Sequence, residues 1–417
     1  MNLYFSRSKV IYLLLIMTLI IDGINGFMLH VLGMQMSIIG IIYRLIILCY
    51  FMYIYISQNL KNLIRSTFII LYFAINISLA YFLYNNSVNA IIFDFIECTR
   101  IMLSISIALG LITAIKYKYI SRDILKKFMF SSVKIMCYIY CLSIILGLGR
   151  STYGDAGYKA IFNSTNGINI TLIILFIFQI EKITKSKVLM DKVYLIIIGI
   201  ALILLGTKSS IIFILFYAIM KILLENKILK LLKFIVGLLV AIVVVTILIN
   251  NIFTDQFQEI LNRQQYMFMR SDNSILTFLF SGRNELLKSA YINFRDNISL
   301  NRLIFGIGSY YNQFSIGEMT VYTFKSIEMD LFDIFFSNGI IGVLLTYGMS
   351  ISIFIKNFKK LKIKRYYSEI ISYLSIIIFS ITGGHVFTDA MASTFLGVII
   401  ALCYISKIDE KEELINN

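Results

Sequence analysis

The residues most able to do chemistry in this sequence are the ionisable side chains set inside or beside long apolar runs. Asp22, Arg44, Asp94, Glu97 and Arg100 lie within such runs, Lys208 stands at a tight turn between two of them, and His385 and Asp389 stand between the last two. A charge in hydrocarbon is expensive, so such groups are either paired with one another or functional. Glu97 and Arg100 are three apart, a spacing that suits an ion pair on one helix face. His385, in Gly-Gly-His, reads first as a structural histidine held by neighbours. The common depth of Asp22, Arg44, Asp94, Arg100 and His385 nevertheless predicts a water-accessible cavity near one membrane surface. Lys134 sits near the opposite end of its run, where its long side chain snorkels.

The elements that must position these groups are membrane-spanning helices. The chain has 417 residues, 59% hydrophobic and only 15% charged, with a mean hydropathy of +0.84. Apolar runs recur near 10–29, 36–57, 66–84, 90–115, 128–147, 167–181, 193–206, 209–224, 232–252, 332–355, 369–384 and 390–406. Hydrocarbon requires about 20 apolar residues per helical span, so these runs predict about twelve transmembrane helices. Backbone groups in lipid must satisfy one another, which makes the spans helical. Period-two alternation is absent, which argues against a β-barrel. The fold class expected is therefore an all-α polytopic membrane protein. With no proline in the chain, helix breaks must come from glycine and polar clusters.

The net charge of +15 needs no nucleic-acid partner, because its distribution follows membrane topology. Lys and Arg concentrate in the loops near 58–65, 116–127, 182–192, 221–233 and 356–365, whereas the short loops on the other side hold only Arg150, Lys159 and Lys208. Basic short loops face the cytoplasm, which places both termini inside. The organisation expected is spans one to nine over 1–252, an extracytoplasmic loop between helices 9 and 10 over 253–331, spans ten to twelve over 332–406, and a cytoplasmic tail over 407–417. The loop contains helix-like stretches near 255–270 and 282–295, then a turn at Gly306-Ile307-Gly308. It is too small for a large independent core and should pack as a cap. The five cysteines, all in apolar runs, read as buried, inert thiols. No Walker element, Cys-x-x-Cys, His-Glu-x-x-His or Asp-x-Asp pair occurs, which disfavours an ATP-driven pump and a metal-dependent nucleotide-sugar enzyme; no cofactor or metal is expected.

Four motifs appear in a fixed order. They are Gly154-Asp-Ala-Gly-Tyr-Lys-Ala-Ile-Phe-Asn-Ser-Thr-Asn, Thr207-Lys208-Ser209-Ser210, Ser281-Gly-Arg283 leading to Gly306-Ile-Gly308, and Glu328-Met-Asp330-Leu-Phe-Asp333 running into Asn338-Gly-Ile-Ile-Gly342. Over roughly residues 147–345 this order resembles the O-antigen ligase and polysaccharide repeat-unit polymerase superfamily. The resemblance implies glycosyl transfer outside the bacterial cytoplasmic membrane, from a glycan on undecaprenyl pyrophosphate to the hydroxyl of a second glycan. It makes Arg283 and Lys208 candidate pyrophosphate-binding residues, arginine being preferred for its bidentate fork; Arg270, seven residues from Arg263 and on the same helix face, is a further candidate that would add to their field. It also makes Glu328 and Asp330 candidate catalytic carboxylates. Asp330 and Asp333 equally suit a capping box at the start of a helix. Ligases of the superfamily tend to carry a histidine where this chain has Glu328 and Asp330, which favours a polymerase. Implied partners are membrane lipid, a flippase and a chain-length regulator. The alternatives are a ligase, which differs in its acceptor, and a flippase or other transporter.

Overall fold

The computed structural model describes residues 6–34, 38–84, 86–153, 156–225, 254–271, 274–320, 323–358 and 366–404. Among these the chain is all-helical, with sixteen helices when Asp330–Phe358 counts as one. Helices α1 Arg7–His30, α2 Ile38–Ile56, α3 Leu60–Leu83, α4 Val88–Lys116, α5 Arg122–Ile145 and α6 Thr165–Lys185 follow in order. Next come α7 Leu189–Leu204, α8 Lys208–Glu225, α9 Thr254–Arg270, α10 Ile275–Phe280, α11 Arg283–Asp296, α12 Leu300–Phe305 and α13 Ser309–Glu318. The chain closes with α14 Asp330–Phe358, α15 Tyr367–Thr382 and α16 Ala390–Cys403.

Seven helices, α1 to α6 and α14, are long and apolar enough to cross a membrane, and α15 and α16 are shorter apolar helices. The protein is thus a multi-pass membrane protein by helix length and hydropathy. The expected hairpin of the seventh and eighth runs is α7 and α8. The expected ninth span and the tail lie outside the described residues. Helix starts follow their capping residues: Ser87 accepts from Ala90 N at 3.2 Å, Ser164 from Gly167 N at 3.0 Å and Asp389 from Ala392 N at 2.9 Å. Each supplies an acceptor to an otherwise orphaned first-turn donor. One expectation needs correcting. Cys49 is exposed and Cys141 only partly covered, so the thiols are not uniformly buried.

Two compact units divide the chain. The first comprises Met1–Tyr43, Tyr119–Arg270 and Lys360–Ile376. In it α6 is the most enclosed helix, buried from Gly167 to Glu181. At its C-terminal end Lys126 Nζ lies 2.8 Å from Glu369 and 3.6 Å from Glu181, and Lys185 Nζ lies 2.6 Å from Glu181.

The second unit comprises Arg44–Lys118, Ser271–Lys359 and Ile377–Asn417. Here α16, buried from Ala390 to Cys403, packs along α4. Helix α14 breaks at Gly339, whose φ of 64° interrupts the helix. A Cβ there would lie 2.2 Å from Ile304 O, so only glycine fits. The break frees carbonyls of Phe336, Ser337 and Asn338. Ile307 N donates to Phe336 O at 3.1 Å, Gly308 N to Ser337 O at 2.9 Å, and the Tyr72 hydroxyl to Asn338 O. Asn76 Nδ2 adds a bond to Ser337 O at 3.2 Å. The Gly306-Ile-Gly308 turn is thus the plug that satisfies a broken span.

Candidate functional site

The site begins with a short connection. Helix α10 ends at Ser281 and Gly282, both left-handed, and α11 starts at Arg283. Leu286 and Ala290 of α11 pack into a core with Ile316, Ile327, Met329 and Phe336. This packing holds the first turn of α11 against the segment leading into α14. Arg283 reaches that segment and donates to Glu328 Oε2 at 3.0 Å. Lys325 Nζ donates to the other oxygen, Oε1. Two cations therefore share one carboxylate.

Glu328 has a backbone φ of +63°, costly for a residue with a side chain. Asp333 explains how it is held. Its Oδ1 accepts from Ile327 N at 3.0 Å and its Oδ2 from Met329 N at 3.2 Å. The carboxylate grips the backbone on both sides of Glu328, so the residue between is pushed outward. Asp333 is thereby a cap at the start of α14 and a positioning residue for Glu328. Burial would raise the Glu328 carboxyl, but the opposing pull of Arg283 and Lys325 outweighs it and brings the group down to about 2.

Asp330, fully buried, joins the start of α14 to the loop ahead of α16. It accepts from Val386 N, from Phe387 N at 2.9 Å and from the Thr388 hydroxyl at 3.1 Å. With all these donors satisfied, Asp330 is built into the scaffold. Its arrangement also settles the next residue along. His385 Nδ1 lies 3.0 Å from Thr388 Oγ1. With Asp330 ionised, the hydroxyl gives it its one proton and accepts from Nδ1–H. That tautomer leaves the lone pair on Nε2. Burial holds the imidazole below its ordinary value; Glu328 and Asp389 oppose this, and Arg283 and Lys325 reinforce it. The ring is therefore neutral near pH 7 and able to accept a proton.

Water reaches the four groups to a modest degree. Side-chain exposure is 14% for Arg283, 25% for Glu328, and 30% for both Lys325 and His385. Arg283 Nε is buried with no hydrogen-bond partner among the described residues. The arrangement can bind an anion at the cations and take a proton at Nε2.

Of the residues singled out in the sequence, Arg283, Glu328, Asp330 and His385 come together. Asp94 instead accepts from Tyr310 N at 2.7 Å and caps α13. A Cβ at position 308 would lie 2.5 Å from its Oδ2, so glycine there lets the carboxylate in. Arg100 pairs with Glu97 as its spacing predicts. Arg44 belongs to this same unit, on α2, and is partly buried. Asp22, Lys208 and Arg270 belong to the first unit. Asp22 is buried in α1. Lys208 opens α8 at a turn held by Thr207, Ser209, Ser210 and Asn169, with Asn169 Nδ2 donating to Ser209 Oγ at 2.6 Å and Ser210 Oγ donating to Asn169 Oδ1 at 2.9 Å. Arg270 is exposed at the end of α9, while Arg263 lies over the Tyr153 ring at 3.3 Å. Lys325 went unnoticed in the sequence, although its i,i+3 spacing to Glu328 could have marked it. Comparison with known proteins gives no matching family model and no matching curated relative.

Proposed function

We propose that this protein is an extracytoplasmic polymerase that joins oligosaccharide repeat units carried on a polyprenyl diphosphate, of the kind that builds a capsule, O-antigen or exopolysaccharide. The observation that carries the reading is the pair of cations, Arg283 and Lys325, sharing Glu328 beside a neutral imidazole at the end of a membrane span. The ordered motifs that resemble the polymerase and ligase superfamily support it independently. Twelve spans with both termini cytoplasmic belong to the same proposal.

The donor diphosphate displaces Glu328 and takes its place on the two cations. Glu328 thus acts as a resting counter-ion that keeps the clamp formed. His385 Nε2 accepts the proton of the acceptor sugar hydroxyl as that oxygen bonds to the anomeric carbon. The bond from that carbon to the diphosphate breaks, and the electron pair leaves on the diphosphate oxygen, whose charge Arg283 and Lys325 stabilise. Asp330, through Thr388, keeps the imidazole in the required tautomer. Lys208 and Arg270, which belong to the other unit, are proposed as anion-binding residues from their sequence positions and not as part of this cluster. The break in α14 would suit a transporter, since discontinuous helices often line transport sites. The freed carbonyls of Phe336, Ser337 and Asn338 are already occupied by protein donors, which weighs against that alternative.

Deletion of the gene tests the assignment. Loss of a polymerase leaves single repeat units on the lipid carrier outside the cell. Loss of a flippase traps them inside, and loss of a ligase leaves long polymer on the carrier; either result would remove the polymerase reading.

A further inference from the structure

Helix α10 has no buried residue. Its Ile275, Leu276 and Leu279 are 68%, 59% and 50% exposed, while Phe280 packs inward against the core of α11. A second exposed pair, Ile298 and Leu300 at 66% and 70%, flanks the start of α12. Exposed aliphatic clusters of this kind on an extramembrane segment require an apolar partner.

Two tethers set the level of these clusters in the second unit. Arg283, three residues beyond the end of α10, is bound to Glu328, two residues before the membrane helix α14 begins. Arg302, two residues after Leu300, stacks over Tyr84, the C-terminal cap of the membrane helix α3, with 5.6 Å from guanidinium to ring centroid. Tyr84 also stacks on Tyr311 at 5.4 Å. Both clusters are thus fastened at the ends of spans. We infer that α10 and the Ile298–Leu300 turn are two apolar feet that insert into the interfacial zone of the bilayer, so that the segment carrying Arg283 is seated in the membrane surface. The occupant is lipid hydrocarbon, because the tethers place the feet where spans end. This holds whatever reaction the site performs.

The chain contains no tryptophan, so a single introduced indole reports without background. Leu276→Trp and Leu300→Trp, each in the full-length protein in phosphatidylcholine–phosphatidylglycerol vesicles, are compared with Lys288→Trp on the exposed polar face of α11. An interfacial foot buries its apolar side chains about 5–10 Å below the headgroup boundary. Both reporters should therefore be quenched by lipid brominated high on the acyl chain about threefold more than the control, and acrylamide should quench them less than the control. Acrylamide quenching equal to that of position 288 would overturn the inference. So would a signal insensitive to both quenchers that changes when the protein is diluted in lipid, since a second copy would then cover the feet. Two reporters keep the test decisive if one substitution disturbs folding.

Discussion

Glu328 offers a test that depends on geometry rather than on knowing the substrate. Its carboxyl is moved from an ordinary 4.5 to about 2, burial being outweighed by Arg283 and Lys325. A group depressed on folding contributes stability that is present above its unfolded value and lost as pH falls through its folded value. At 1.36 kcal/mol for each tenfold change in acidity, the full contribution near neutral pH is about 3 kcal/mol. About 2 kcal/mol of it should be gone by about pH 3 and most of the remainder by about pH 2. Glu328→Gln removes this dependence and leaves two cations facing a neutral amide. The assay is unfolding in mixed micelles by a rising fraction of denaturing detergent, for wild type and variant, across that pH range. The stability gap between the two should be widest near neutral pH and narrow steadily below about pH 4.5. A gap that is constant with pH, or that opens on acidification, would refute the reading of Glu328 as an ionised carboxylate held by both cations.

Three further outcomes follow from the same structure. Asp330→Asn can keep its amide oxygen on Val386 N and Phe387 N and turn its N–H₂ to the Thr388 hydroxyl, which then donates to His385 Nδ1; turnover should fall about 100-fold or more with stability nearly unchanged, and full turnover in this variant would remove the positioning role. His385→Gln should cut turnover about 100-fold or more while leaving donor affinity nearly unchanged, measured by initial rates and by binding of a non-transferable lipid diphosphate; an equal loss of both would remove the base assignment. In a cysteine-free background, Lys288→Cys should react with a membrane-impermeant thiol reagent in intact cells and Lys187→Cys only after permeabilisation, and the reverse pattern would invert the topology.

The long spans were legible because a run such as Val88–Lys116 carries its own signal: enough consecutive apolar residues to cross hydrocarbon, whatever it packs against. Helices α9 and α11 were legible from their periodicity. Helices α10, α12 and α13 were not, because six to ten residues are too few to establish a period and their ends are fixed by tertiary contacts. Asp94 shows the limit for polar residues: its depth in α4 was visible, but the backbone it caps comes from a distant segment. Glu328 and Arg283 were visible as a carboxylate and a cation near the same membrane surface, yet the left-handed backbone at Glu328 depends on Asp333 bonding on both of its sides. The role proposed for His385 rests on hydrogen bonds linking Nδ1, Thr388 and Asp330, which no local pattern encodes. The motifs thus pointed to Arg283, Glu328, Asp330 and His385 but not to Lys325, whose part shows only in the folded geometry.

Purified protein reconstituted in vesicles with a polyprenyl-diphosphate-linked repeat unit as both donor and acceptor measures the proposed reaction itself. A ladder of lengthened glycans should appear, with one free polyprenyl diphosphate released per bond formed, and Arg283→Ala should abolish both while remaining inserted in the membrane. Release of no diphosphate and no growth in chain length by the wild-type protein, or ladder formation unaffected by Arg283→Ala, would contradict the account.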